Sequence, residues 1–372
     1  MRLSRSVLAT SAWLTVAVMA TVGFAPAAFA SYSSTPVGPT GWVPDGPVLA
    51  TVAQGDRVFV GGSFTGGVAA LDASTGAQVW TGRLDGVVRG LALSADGTHL
   101  IAGGSFTTAD GIAHKRLASL RVADGTAEPT WKASASGMVR DIVVVGDTAY
   151  FGGLFVKHNG IAQRSLGAVS VTTGKPIASF TPSTDDQVYG LATNGARLFI
   201  AGRFTTVSGQ PRDSLASVSL ATNTLDDWSP PRACTGCNLN WDLFLDSGTN
   251  TLYAVGRNAG AVRALDLTTG AQRWRVTANG DAQAVTLAGG LLYVGGHFTE
   301  IGSPRVPRTI LAALNPTNGA VDPEFAPRFV TTWPGIWALA TTDSRLYAAG
   351  HFTAAGPSPP KQFPYFAMFA SN

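Results

Sequence analysis

The chain reads as short apolar runs separated by turn residues, in a cycle that recurs seven times. Each cycle opens with an apolar run containing a small residue, as in Val88-Arg89-Gly90-Leu91-Ala92 and Val188-Tyr189-Gly190-Leu191-Ala192. A turn rich in Gly, Asp or Asn leads to a second run ending in Gly-x-Phe: Gly62-Ser63-Phe64, Gly104-Ser105-Phe106, Gly153-Leu154-Phe155, Gly202-Arg203-Phe204, Gly296-His297-Phe298 and Gly350-His351-Phe352. Gly256-Arg257-Asn258 is a degenerate copy. A third run, such as Ala69-Ala70-Leu71-Asp72, ends at a tight turn (Thr75-Gly76, Thr173-Gly174, Thr269-Gly270, Asn318-Gly319). The fourth carries an aromatic residue: Trp42, Trp80, Trp131, Phe180, Trp228, Trp274 and Phe325, spaced 38, 51, 49, 48, 46 and 51 residues apart. Four short strands per period, with no sustained helical periodicity after residue 30, predict an all-β, seven-bladed β-propeller with four-stranded blades.

The two ends complement each other. After Gly350-His351-Phe352 one more strand remains, Tyr365 to Ala370, so the last blade lacks its outermost strand. Gly41-Trp42-Val43-Pro44 matches an aromatic fourth strand with no blade before it. The expectation is that residues 41–44 pair with the C-terminal blade and close the ring, removing the open edge of a linear array. Residues 41–372 then form one domain, and residues 31–40 a flexible lead. The Phe and Trp rings are expected to fill the wedges between blades rather than to stack on sugars. Burial of each is worth about 2–3 kcal/mol.

Segments 69–80 and 263–274, Ala-Ala-Leu-Asp-Ala-Ser-Thr-Gly-Ala-Gln-Val-Trp and Arg-Ala-Leu-Asp-Leu-Thr-Thr-Gly-Ala-Gln-Arg-Trp, resemble the tryptophan-docking repeat of quinoprotein-like propellers. Gly295-Gly296-His297-Phe298-Thr299 and its counterparts are similar to the delta-60 repeat propellers of secreted bacterial proteins. Enzymes of the quinoprotein group are longer, usually eight-bladed, and carry pyrroloquinoline quinone, a calcium ion and a disulfide between adjacent cysteines. This chain has seven repeats and no adjacent cysteine pair. The resemblance therefore implies a non-catalytic binding or assembly scaffold without a cofactor.

Residues 1–30 predict a secretory signal peptide: Arg2 and Arg5, an apolar stretch from Val7 to Phe24, and the small-x-small site Ala28-Phe29-Ala30. The alternative, an uncleaved anchor, has Ser11, Thr15, Thr21 and Pro26 against it. No later stretch is apolar enough to span a bilayer. Loss of the two arginines lowers the formal charge from +3 to +1, which argues against nucleic acid as a partner. The reading is a secreted, extracellular, monomeric protein whose partner is an extracellular protein, peptide or glycan.

Cys234 and Cys237 are the two cysteines, and in an exported chain they are expected to form a disulfide. A redox pair would want a helix N-terminus, and zinc two further soft ligands; neither is visible nearby. His297 and His351 occupy equivalent blade positions and read as ordinary polar positions of the repeat rather than a metal site. Asp185-Asp186 reads as a solvated turn. No nucleophile–base, dinucleotide or phosphate motif occurs.

In a four-stranded blade, the loops after strands two and four emerge on one face. That face carries every long loop, including 107–116, 156–164, 205–212, 229–239, 299–308, 326–335 and 353–364. Arg116, Arg164, Arg212 and Arg308 lie there, with Trp241, Trp333 and Trp337 as candidate neighbours. Each arginine either recognises a partner or pins its own loop. Leu49, Arg89, Arg140, Tyr189, Trp241, Gln283 and Trp337 share one position of the inner strand. If it faces the channel, Arg89 and Arg140 form a cationic side opposite aromatics, suited to a small acidic ligand. The leading expectation is a binding scaffold that uses the long-loop face. A channel-mouth hydrolase or lyase acting on extracellular glycans is second, and a quinone-dependent dehydrogenase third.

Overall fold

The computed structural model describes residues 31–257, 260–331, 335–356 and 360–372. The expected signal peptide, Asn258 and Trp333 lie outside the described residues. Within them the chain forms seven antiparallel blade sheets, three further two-stranded pairs and no α-helix. The inner strands are Val48–Gln54, Val88–Leu93, Met138–Val145, Val188–Thr193, Asn240–Asp246, Asp281–Ala288 and Gly335–Thr342. Each touches the next, and the last touches the first. The fourth strand is a ladder in blades 1, 4, 5 and 7, and narrows to single bridges in the other three, Leu120↔Ala127, Val169↔Pro176 and Leu314↔Val321. No helix among the described residues is long and apolar enough to cross a membrane.

The buried apolar residues fall into seven clusters, each shared by two neighbouring blades. The aromatic of the fourth strand tops each wedge. Trp80, Trp131, Trp228 and Trp274 also donate their indole N–H to a carbonyl of the following blade: Val122 at 2.9 Å, Val171 at 2.8 Å, Asp266 at 3.1 Å and Pro316 at 2.9 Å. One such bond stabilises by about 1 kcal/mol. The rings of Trp80 and Trp274 lie on the turn glycine of that next blade, where a Cβ at Gly125 would sit 2.5 Å from Trp80 and one at Gly319 2.8 Å from Trp274.

The glycine of Gly-x-Phe has a separate cause. A Cβ at Gly62, Gly104, Gly153, Gly202, Gly296 or Gly350 would lie 1.9–2.3 Å from a carbonyl oxygen at, or one residue before, the start of its own inner strand. Its N–H donates to a left-handed residue just before the third strand, and the Phe carbonyl accepts that residue's N–H. Arg116, Ser165, Ser214, Ile310 and Tyr365 hold this conformation, with φ between 56° and 75°. The motif thus clamps a strained bend that aims the third strand.

Ring closure differs in one respect from the sequence reading. The strand paired with Phe366–Ser371 is Tyr32–Gly38, not residues 41–44, so residues 31–40 are not a flexible lead. Trp42 still packs on Phe366 and Phe64, with centroids 5.8 and 5.6 Å away, in the wedge between blades 7 and 1. The reason is visible in other blades. The paired residue there lies four ahead of the aromatic, Ala127 before Trp131, Pro176 before Phe180 and Val321 before Phe325, just as Gly38 precedes Trp42. Only Trp80 and Trp274 sit inside the strand itself.

Two outcomes follow. Removing residues 31–40 from a chain that begins at residue 31 uncovers the Phe366–Ser371 edge and the pocket filled by Tyr32; we expect a lower melting temperature and aggregation on heating, read by light scattering. Gly104→Ala should destabilise by about 2–3 kcal/mol in urea unfolding, because the inner-strand carbonyl must move.

Candidate functional site

In every blade the inner strand slips register by one residue near its start, between Val48 and Ala50, Val88 and Gly90, Val139 and Asp141, Val188 and Gly190, Asn240 and Asp242, Ala282 and Ala284, and Ile336 and Ala338. The skipped residues are Leu49, Arg89, Arg140, Tyr189, Trp241, Gln283 and Trp337. A bulge takes a residue out of the pleat and re-aims its side chain. All seven line one central cavity of about 370 Å³. They lie at the start of the inner strands, the side where the long loops run.

The lining is divided. Arg89 and Arg140 are neighbours on blades 2 and 3, and neither has a carboxylate partner among the described residues; the Nε of each is buried without an acceptor. Arg140 lies over the Tyr189 ring, 4.8 Å from its centroid. Burial, reinforced by the charge of Arg89, pushes the Arg140 guanidinium down to about 10, and burial also lowers Arg89. An aromatic arc continues from Tyr189 to Trp241 at 4.6 Å and on to Trp337 at 5.7 Å. The indole N–H of Trp241 points at Asp281, 3.3 Å away, and that of Trp337 at His351 Nδ1, 3.2 Å away. Gln283 is 6% exposed, and its Oε1 has no partner among the described residues.

Sequence reasoning missed Asp141 and Asp242, which follow the bulge in blades 3 and 5. Each carboxylate crosses a blade boundary. Asp141 accepts from Ile142 N at 2.8 Å and from Leu191 N of blade 4 at 2.7 Å. Asp242 accepts from Leu243 N at 2.8 Å and Val285 N of blade 6 at 3.0 Å. Burial outweighs these bonds and lifts Asp141 to about 6; burial and then the charge of Asp141 lift Asp242 to about 7. The sequence signal was the repeat position itself, which holds Gly or Ala in the other blades: Ala50, Gly90, Gly190, Ala284 and Ala338.

The rim is built of short paired segments. Small hairpins after the second strand lean on the linkers between blades, through Leu84↔Ala109, Ala135↔His158, Thr184↔Val207, Ala278↔Ile301 and Phe329↔Ala355. The loop arginines pin these segments. Arg116 donates to the carbonyls of Ser105 and Phe106, Arg164 to Asp185, Arg212 to Asp226, and Arg308 to Phe325 and Asp322. Asp185 caps Thr205 and Thr206, and Asp186 pairs with Arg203 at 2.9 Å, so this turn is braced rather than merely solvated. Cys234 and Cys237 are bridged, and Arg263 and Arg275 donate to the adjoining carbonyls of Pro231 and Ala233.

A quinone with its calcium ion does not fit this lining. The wall carboxylates Asp141 and Asp242 are held on backbone amides of neighbouring blades, and the disulfide lies in the rim loop 229–239, outside the cavity lining. No group of three or more His, Cys, Asp or Glu among the described residues could hold a metal ion.

The family described as outer membrane protein assembly factor BamB matches over residues 33–260, more than half of the chain. No curated protein sequence matches significantly. Among solved structures, U3-55K aligns with a TM-score of 0.64 at 11% identity, covering 91% of this chain and all of that one. The WD40 propeller domain of Doa1 aligns at 0.58 and 12% identity, over 92% and 97% of the two chains. The computationally designed Ika8 protein aligns at 0.52 and 12%, over 87% and 83%. These likenesses concern the fold.

Asp141 and Asp242 favour the protonated state when folded. Their contribution to stability is complete below the ordinary carboxylate range and is lost as pH rises through about 6 and 7. The melting temperature should therefore fall from pH 5 to about 8, and Asp242→Asn should flatten that fall in a calorimetric pH series.

Proposed function

We propose that this chain, which belongs to the family described as outer membrane protein assembly factor BamB, is an exported, non-catalytic binding scaffold that docks an extracellular protein on its long-loop face. The observation that carries the reading is an apolar break in the polar rim. At the central position of Gly-x-Phe the other blades have Ser63, Ser105, Arg203, Arg257, His297 and His351, whereas blade 3 has Leu154. Leu154 is 53% exposed and Val156 58% exposed. They flank a groove with Ser136, Gly137, Arg164 and the Asp185-Asp186 turn. Exposed apolar side chains with charged neighbours are the composition of an interface. The backbone beneath is rigid, since Ser136 Oγ accepts from both Val156 N and Lys157 N at 3.1 Å. A rigid surface loses little entropy on binding.

The test is photo-crosslinking in the native extracellular milieu from a probe at Val156, with a control probe at Asp56 on the opposite face. We expect a protein adduct from position 156 that disappears in Leu154→Asp, with the melting temperature unchanged. Equal adducts from both faces, or turnover of a glycan by the purified chain, would sink this reading.

A further inference from the structure

The central cavity carries a second inference, independent of what docks on the rim. Seven equivalent bulges aim seven side chains at one space, and the chain places its cations and aromatics there asymmetrically. Two guanidiniums stand side by side on blades 2 and 3 without an acidic partner among the described residues. The rim arginines behave otherwise: Arg203 pairs with Asp186 at 2.9 Å, and Arg116, Arg164, Arg212 and Arg308 each reach backbone carbonyls. Two like charges in a confined space repel and lose hydration. Such an arrangement weakens the fold unless something outside the chain neutralises it. Nor do the wall carboxylates compensate: Asp141 and Asp242 point into the blade boundaries.

We propose that this cavity is a binding site for a compact organic carboxylate, with the anionic group between Arg89 and Arg140 and the apolar face of a ring against Trp241 and Trp337. Guanidinium geometry matches a carboxylate, and two neighbouring forks can share its two oxygens. The stacking of Arg140 on Tyr189 holds one fork in place before the ligand arrives. On the far side the indoles are oriented by Asp281 and His351, which presents their apolar faces or edges as a fixed wall. A volume of about 370 Å³ suits one small molecule and excludes a folded partner. Two ligand sources share this chemistry, an aromatic acid and a sugar acid, and neutral counterparts of each separate them.

The mature chain is titrated calorimetrically with benzoate, benzamide, glucuronate and glucose. At least one acid is expected to bind saturably, with its neutral counterpart at least about tenfold weaker; benzoate assigns the aromatic source and glucuronate the sugar source. Arg89→Gln and Arg140→Gln should each weaken that binding about tenfold while raising the melting temperature of the unliganded protein, because an unneutralised charge is removed. A purely structural role for these arginines predicts the opposite shift. Equal binding of acid and neutral compound, no binding of either acid, or a fall in melting temperature in both variants would overturn the proposal.

Discussion

Seven apolar wedges, each formed jointly by two blades, are the constraint on which the rest of the molecule depends. No blade has a core of its own, so each sheet is stable only between two neighbours. The clusters run unbroken from blades 1 and 2 round to blades 7 and 1. Residues from all parts of the chain are thereby held at fixed radii. The cavity lining inherits its precision from the wedges. The indole bonds from Trp80, Trp131, Trp228 and Trp274 all run from one blade to the next in the same rotational sense.

Much of the architecture was legible because the repeat places the same physical demand at the same position. Gly-x-Phe recurs because an inner-strand carbonyl fills the space a Cβ would need at Gly104 or Gly153. The shared channel position emerged from alignment of repeats, although its cause, a bulge in every inner strand, leaves no residue signature of its own. The closing strand was misplaced because Trp80 and Trp274 lie within their strands, whereas Trp42 follows the pairing segment Tyr32–Gly38.

The candidate site was legible only in part. Alignment collected Arg89, Arg140, Tyr189, Trp241, Gln283 and Trp337 and set a cationic side opposite aromatics, but it did not reveal that the cations lack an acidic partner among the described residues or that the indoles are held by Asp281 and His351. Both features depend on which groups find partners, a property of three dimensions. Asp141 and Asp242 escaped notice because they occupy a position that elsewhere holds Gly or Ala, where a deviation looks like drift. Their bonds to Leu191 N and Val285 N show why a longer side chain fits: it reaches across the boundary to a backbone amide of the neighbouring blade. The sequence left open whether each loop arginine recognises a partner or pins its own loop; hairpin pairing and arginine clamps make these loops a frame.

The pairing of Tyr32–Gly38 with Phe366–Ser371 joins segments more than 300 residues apart in the chain. Blade 7 cannot be completed until its final strand has been synthesised, and the boundary between blades 7 and 1 must await the same moment. Blades 1 to 6 obey no such rule, since each is contiguous. Assembly is thus local for most of the polypeptide and becomes global in one late step, when the loop-closure entropy of nearly the whole chain is met at once. That step converts a curved stack with two vulnerable ends into a body with none.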